Sequence, residues 1–208
     1  MIYKSTRIHF GAVLGLAALS FAAQAAPATY AIDSSHSSAQ FSVRHLMISN
    51  VKGEFSKVTG SITYDPQNLA ASKVRAVIDA NTINTREPKR DAHLKGTDFF
   101  DTAKFPEIVF ESKEFRKSNG KLQIKGNLTM HGVTREVVLD VDGPTAEVKD
   151  PWGNARFGAT VTTRINRQDF GLTWNKALEA GGVMVGDEVS ITIDLEAARQ
   201  AQPAGAQR

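Results

Sequence analysis

The sequence predicts an all-β domain of antiparallel strands, stacked as a sandwich or closed as a barrel. Two observations predict it. Apolar and polar residues alternate with period two in segment after segment, as in strands with one buried face. Turn-forming residues separate those segments. No internal repeat or linker breaks the series, so one domain is expected.

The strands follow in order. "TYAID" opens the series, and "SAQFSVRH" puts Ala39, Phe41 and Val43 on one face. "GSITY" pairs Ile62 with Tyr64, and "KVRAVIDA" aligns Val74, Ala76 and Ile78. "EIVFESK" offers Ile108 and Phe110. "KLQIKGNLTM" alternates most cleanly, with Leu122, Ile124, Leu128 and Met130 facing one way. "REVVLDVD" adds Val137, Leu139 and Val141, and "RFGATVTTRI" adds Phe157, Ala159, Val161 and Ile165. "EVSITIDLE" closes with Val189, Ile191, Ile193 and Leu195. His131-Gly132 is a hairpin signal. Asp65-Pro66, Ser118-Asn119-Gly120, Asp142-Gly143-Pro144 and Asp150-Pro151 mark other connections. An eight-stranded barrel is just wide enough for side chains to fill it or for one small ligand. The alternation is equally compatible with a filled core and with a cavity.

One stretch breaks the pattern. "REPKRDAHLK" reads as a short helix, with Thr85 as N-cap, Pro88 in the first turn and Gly96 past the end. Asp91 and Lys95 have the spacing of a surface ion pair. Asp91 and His93 are two residues apart, about 200° around a helix, so they cannot share one metal ion. Asp101 reads as the cap of the next turn, "TAKF". No H-E-x-x-H motif or spaced histidine pair occurs, and no metal site is expected. Arg86, Arg90 and His93 share a face that is either a solvated basic strip or a place for an anion. Phe99, Phe100 and Phe105 are expected to seat this segment on the barrel.

Other motifs carry little. Asp169-Phe170-Gly171 spells a kinase triplet without the loops that give it meaning, and no G-x-S-x-G nucleophile elbow is present. Adjacent residues in "SSHSS" do not face each other on a strand. His45 ends an apolar alternation. Trp174-Asn175 precedes a Gly- and Ala-rich loop, as a cavity gate or a packing anchor would.

The chain's ends read differently from its middle. Residues 1–25 have the basic start, short apolar core and Ala-x-Ala terminus of a cleaved signal peptide. Removing them takes away Lys4 and Arg7 and lowers the formal net charge from +3 to +1. No polybasic run remains, which excludes nucleic acid as an expected partner. An exported chain without cysteine relies on its apolar core, and a periplasmic location is expected. The domain is expected over residues 26–197, followed by a disordered tail over 198–208.

Several blocks in order resemble the YceI-like family of periplasmic lipid-binding proteins. They are "IDSSHSSAQFSVRHLMISNVKGEF", "RDAHLKGTDFFDTAKFPEIVFES", "GNLTMHGVTREVVL", "DPWGNARFGA", "RQDFGLTWN" and "VGDEVSITIDLEA". The resemblance implies a lipocalin-like, extended antiparallel eight-stranded barrel. It also implies an internal tunnel for a long isoprenoid chain, such as an isoprenoid quinone or a polyprenyl lipid, and no enzymatic activity. No cofactor other than such a bound lipid is expected. Transient membrane contact for lipid exchange and a homodimer are further expectations. On this reading the tail would contact Phe41, Val43, Ile62, Ile78, Phe110, Ile124, Leu128, Leu139, Val161 and Ile191. The head would sit near a polar set of His45, Arg90, His93, Arg156, Trp174 and Asn175. Two alternatives stay open: an enzyme acting on a lipid head group, and a filled barrel working through a protein partner.

Overall fold

A computed structural model describes residues 27–179 and 181–201. The expected signal peptide lies outside the described residues, as does most of the expected tail. The strands are β1 (Ala28–Ile32), β2 (Ser38–His45), β3 (Ser49–Phe55), β4 (Val58–Tyr64), β5 (Lys73–Asp79) and β6 (Ile83–Asn84). After α1 (Pro88–Lys95) come β7 (Glu107–Ser118), β8 (Lys121–Met130), β9 (Val133–Asp142), β10 (Val148–Lys149), β11 (Ala155–Asn166) and β12 (Val185–Arg199). β12 therefore runs two residues past the domain boundary expected at 197. Ala198 and Arg199 belong to β12, where they pair with β1, and Ala198 also pairs with β11.

All strand pairings are antiparallel, and the pairing of β11 with β12 closes a ring of β11, β9, β8, β7, β5, β4, β1 and β12. This is an eight-stranded barrel of the lipocalin-like kind. Three of its staves are bent in two. β1 and β2 occupy successive lengths of one edge of β12, and β4 and β3 continue the same split on the next stave. β5 and β6 complete it. The bends let one half of the sheet splay outward while the ladder stays paired.

Gly60 shows why β4 can bend beside β5. Its φ is +145°, and a Cβ there would lie 2.1 Å from the Arg75 carbonyl oxygen. Only glycine fits such a close backbone approach. The β8–β9 hairpin turns at His131 (φ +52°) and Gly132 (φ +74°), the double positive φ of a type I′ turn.

The two barrel ends differ. One end carries α1 with the segment after it, the 131–132 turn and the 167–179 connection; we call it the lid end. The other, the base, carries the 65–72, 119–120 and 143–154 connections. The α1 cap departs from expectation. Glu87 caps the helix by accepting from the Lys89 N–H, and Thr85 lies two residues earlier. Thr85 is buried, and its hydroxyl donates to Asp91 Oδ1 at 2.5 Å. Asp91 thus turns back toward the chain before the helix. Asp101 holds its turn through its carbonyl, which accepts from the Lys104 and Phe105 N–H groups.

The wall has one weak seam. β9 and β11 pair only at 140–142 against 160–162. Toward the lid end they diverge, and the Thr163 hydroxyl spans the gap to the Val138 carbonyl at 2.9 Å.

Candidate functional site: an apolar tunnel

The inward faces of the strands do not fill the barrel. They enclose a cavity of about 230 Å³. It is long and narrow, running from Phe99 and Phe100 at the lid end to Phe115, Leu122 and Pro144 at the base. A twelve-residue strand tilted as barrels require spans roughly 30 Å along the axis. Period-two alternation produces this tunnel directly, because every second side chain of each stave points inward. Phe41, Val43, Ile62, Ile78, Phe110, Ile124, Leu128, Leu139, Val161 and Ile191 all line it.

Few polar side chains reach the wall. They are Gln40, Tyr64, Thr163 and Arg167. The Gln40 amide donates to Ser38 and Asp194, and the Thr163 hydroxyl is engaged with Val138. Among the described residues, no buried side-chain polar atom lacks a partner. The tunnel thus offers dispersion contacts and exclusion of water, and among the described residues of its wall a hydroxyl without a protein partner stands only at the base, on Tyr64.

Arg167 was not legible as a site residue. It is only 4% exposed, yet it borders the tunnel. Its guanidinium donates to the carbonyls of Leu172, Trp174 (3.0 Å), Gly186 (2.9 Å) and Val185 (3.3 Å), and to Asp187 Oδ1 at 3.2 Å. Burial pushes its pKa down, opposed by the nearby Asp187 carboxylate. These bonds tie the start of β12 to the chain after β11. In the sequence Arg167 lies between Asn166 and Gln168 and reads as a surface turn.

None of the six polar residues expected at the head group is among those lining the tunnel. Five lie at the lid end. His93 stacks edge-on against Phe99 and Trp174, at 5.1 and 5.0 Å between ring centroids, and its Nε2 lies 2.8 Å from Asp98 Oδ2. Phe99 lines the tunnel, so His93 and Trp174 form an outer layer on it. Arg90 donates to the Thr85 hydroxyl and carbonyl. The Asn175 amide closes a two-bond pair with the Val185 backbone. His45 pairs in register with Val185 and Ser49. Arg156 lies toward the base, so the structure does not bring the six together.

A model of the YceI-like domain matches residues 30–197, nearly the whole barrel. The chain belongs to the YceI-like family. A UPF0312 protein of Vibrio cholerae is 41% identical over 165 residues, covering 76% of this chain and 86% of the relative. Burkholderia cenocepacia BcnA superposes with a TM-score of 0.67 at 21% identity, over 79% of this chain and 98% of that one. A polyisoprenoid binding domain from Saccharophagus degradans superposes with a TM-score of 0.60 at 17% identity, over 84% and 99% of the two chains. Both structures share the fold of this YceI-like chain.

Arg156 anchors this YceI-like barrel where β1 bends into β2. It donates to Asp33 (2.6 Å), Glu196 (2.7 Å) and Asp150 (2.8 Å). Asp33, His36 and Glu196 bring three atoms of metal-ligating kind within 4.8 Å of one another, and the Arg156 guanidinium supplies counter-charge to both carboxylates. Hydrogen bonds from Arg156 and then His36 hold the Asp33 carboxyl well below the usual carboxylate range. Asp150 is lowered to about 2, first by the Asn154 side chain and then by Arg156.

The sign of the pH dependence follows. An unfolded aspartate titrates near pH 4, and these two bind protons only at lower pH when folded. Their contribution is present above about pH 4 and is lost as pH falls through the folded values. His36 works oppositely: Asp33 raises its pKa, so its contribution is present at low pH and is lost as pH rises through the raised folded value. We expect the urea midpoint to fall between about pH 5 and pH 2, and Arg156→Gln to flatten that fall. An unchanged slope in the variant would show that Arg156 does not set these carboxylates.

Proposed function

We propose that this protein binds the long apolar chain of an isoprenoid lipid in its tunnel and carries or buffers it between membranes in the periplasm. The observation that carries the reading is the continuous apolar tunnel through a closed barrel. The description of the Saccharophagus degradans neighbour as polyisoprenoid binding supports the choice of ligand. An isoprenoid quinone or a polyprenyl lipid has the required shape.

Energetics favour exchange over sequestration. Each buried methylene gains about 0.8 kcal/mol against water. A membrane offers the same refuge, so the tail term nearly cancels between barrel and bilayer. Head-group contacts and the cost of ordering the chain decide the remainder. On this reading the β2–β3 turn at the lid end, where Met47 and Ile48 are 49% and 77% exposed, would meet the membrane.

The other readings have less support. The tunnel argues against a filled core. Among the described residues the tunnel wall carries no histidine or carboxylate, so the enzyme reading finds no acid–base group along the tunnel.

The test is transfer of a fluorescent prenyl quinone from donor to acceptor vesicles. The rate should rise in proportion to protein concentration. A rate independent of the protein would refute the carrier reading.

A further inference from the structure

We propose that the polar head of the bound lipid sits at the base of the barrel, in a vestibule beside Tyr64, and that this vestibule selects an uncharged, hydrogen-bond-accepting head such as a quinone over a phosphate. The proposal rests on the lipid-binding reading above and goes beyond it by fixing the ligand's direction and head class.

The vestibule is a second cavity of about 300 Å³. It shares Tyr64, Pro144 and Phe157 with the tunnel, so the two adjoin at those residues. Its other walls mix polar and apolar surface, with Tyr30, Asp65, Gln67, Thr145, Glu147 and Arg199 among them, whereas the tunnel is almost wholly apolar. An amphiphile with its tail inside the barrel would place its head where that change occurs.

Tyr64 stands at the junction. Its ring packs in the tunnel wall, and among the described residues its hydroxyl has no hydrogen-bond partner. Burial, and then the Asp65 charge, raises its pKa, so the hydroxyl remains a donor at neutral pH. A ring with an apolar body and an uncommitted donor at its tip suits a carbonyl at the root of a prenyl tail.

Charge in the vestibule decides the head class. Arg199 gives Nε and Nη2 to Glu147 Oε1, at 3.0 and 2.7 Å. The Tyr30 hydroxyl donates to the same oxygen at 2.5 Å and accepts from Arg199 Nη2 at 3.3 Å. The arginine is thus neutralised by Glu147, and Asp65 adds a further negative charge. A phosphate would meet this surplus, whereas a neutral acceptor would not.

The lid end offers less. Leu94, Phe99, Phe100 and Leu172 face the tunnel there. Arg90 and Arg167 are both engaged by protein acceptors. The cleft outside the β9–β11 seam also adjoins the tunnel, through Thr163, Ile165 and Ile191. Its bridging hydroxyl, on Thr163, already donates to Val138.

The experiment measures affinities of the full chain for three probes: a long-tailed ubiquinone, squalene and undecaprenyl phosphate. Tyr64→Phe should weaken the quinone roughly three- to tenfold, the loss of one hydrogen bond, and leave squalene unchanged. Glu147→Gln should strengthen the phosphate relative to squalene. Position is read separately from the two tryptophans. Trp152 is 82% exposed in the 150–154 turn at the base, and Trp174 lies at the lid. In Trp174→Phe the bound quinone should quench the remaining Trp152, and in Trp152→Phe it should quench Trp174 less. Stronger quenching of Trp174, or an unchanged quinone-to-squalene ratio in Tyr64→Phe, overturns the proposal while the tunnel reading stands. A ratio changed only by Arg135→Ala and Arg164→Ala would put the head in the wall cleft and also overturn it. If neither quinone nor squalene binds, the tunnel reading itself fails.

Discussion

Replacing Ile124 by glutamate is expected to abolish lipid loading and to lower stability by about 3–5 kcal/mol. Ile124 is 8% exposed on β8, opposite Phe115 of β7 and Leu139 of β9. All three line the tunnel toward the base. A carboxyl there loses its water and finds no donor on that wall, so its pKa would rise and a polar group would remain in the path of the chain. Ile124→Val removes one methyl, should cost about 1 kcal/mol and should load normally. Ala76→Trp blocks the same tunnel without adding a charge, and should abolish loading while near-UV circular dichroism still reports a packed barrel. Full loading of a folded Ile124→Glu protein would mean that this face of β8 does not meet the ligand.

Arg167→Met is expected to be the most destabilising change at a polar residue, at about 3–5 kcal/mol in urea denaturation. The methionine replaces the aliphatic stem but none of the donors. It leaves the carbonyls of Leu172, Trp174, Val185 and Gly186 without the partner that now organises them. Each buried acceptor so stranded carries a desolvation penalty. Hydrogen exchange should speed up first around the start of β12 and the 172–179 segment, because Arg167 is what joins them. Arg167→Lys should recover only part of the loss, since an ammonium cannot reproduce the planar fork. A variant as stable as the parent would show that water replaces these bonds without penalty.

The two residues also mark what the sequence could and could not show. Ile124 was legible because alternation on a strand assigns a face, and in a closed barrel that face must be interior. The same logic placed all ten tail residues on the tunnel wall. Whether the wall meets across the axis or leaves a gap depends on barrel shape and on the bends at 33–37, 56–57 and 80–82, which no local pattern encodes. Arg167 is illegible because all its partners but Asp187 are backbone carbonyls, of residues up to nineteen positions away, and a carbonyl leaves no mark in a sequence. The polar set around Arg90 and His93 was grouped by helical spacing, which reports a shared face but not the direction of that face. Arg156 stands at the start of β11, at the other end of the barrel, and alternation does not tell one barrel end from the other. Thr85 looked like a cap because threonine is a good one. Its burial and its bond to Asp91 are tertiary, and Glu87 took the capping position.

The tunnel's purpose is tested most directly by purifying the protein from its native cells without detergent, extracting it with organic solvent and analysing the extract by mass spectrometry. A long-chain isoprenoid lipid, near one molecule per barrel, absent from an Ala76→Trp preparation, is the expected result. Protein that is repeatedly empty, and that takes up neither added quinone nor added polyprenol, would contradict it.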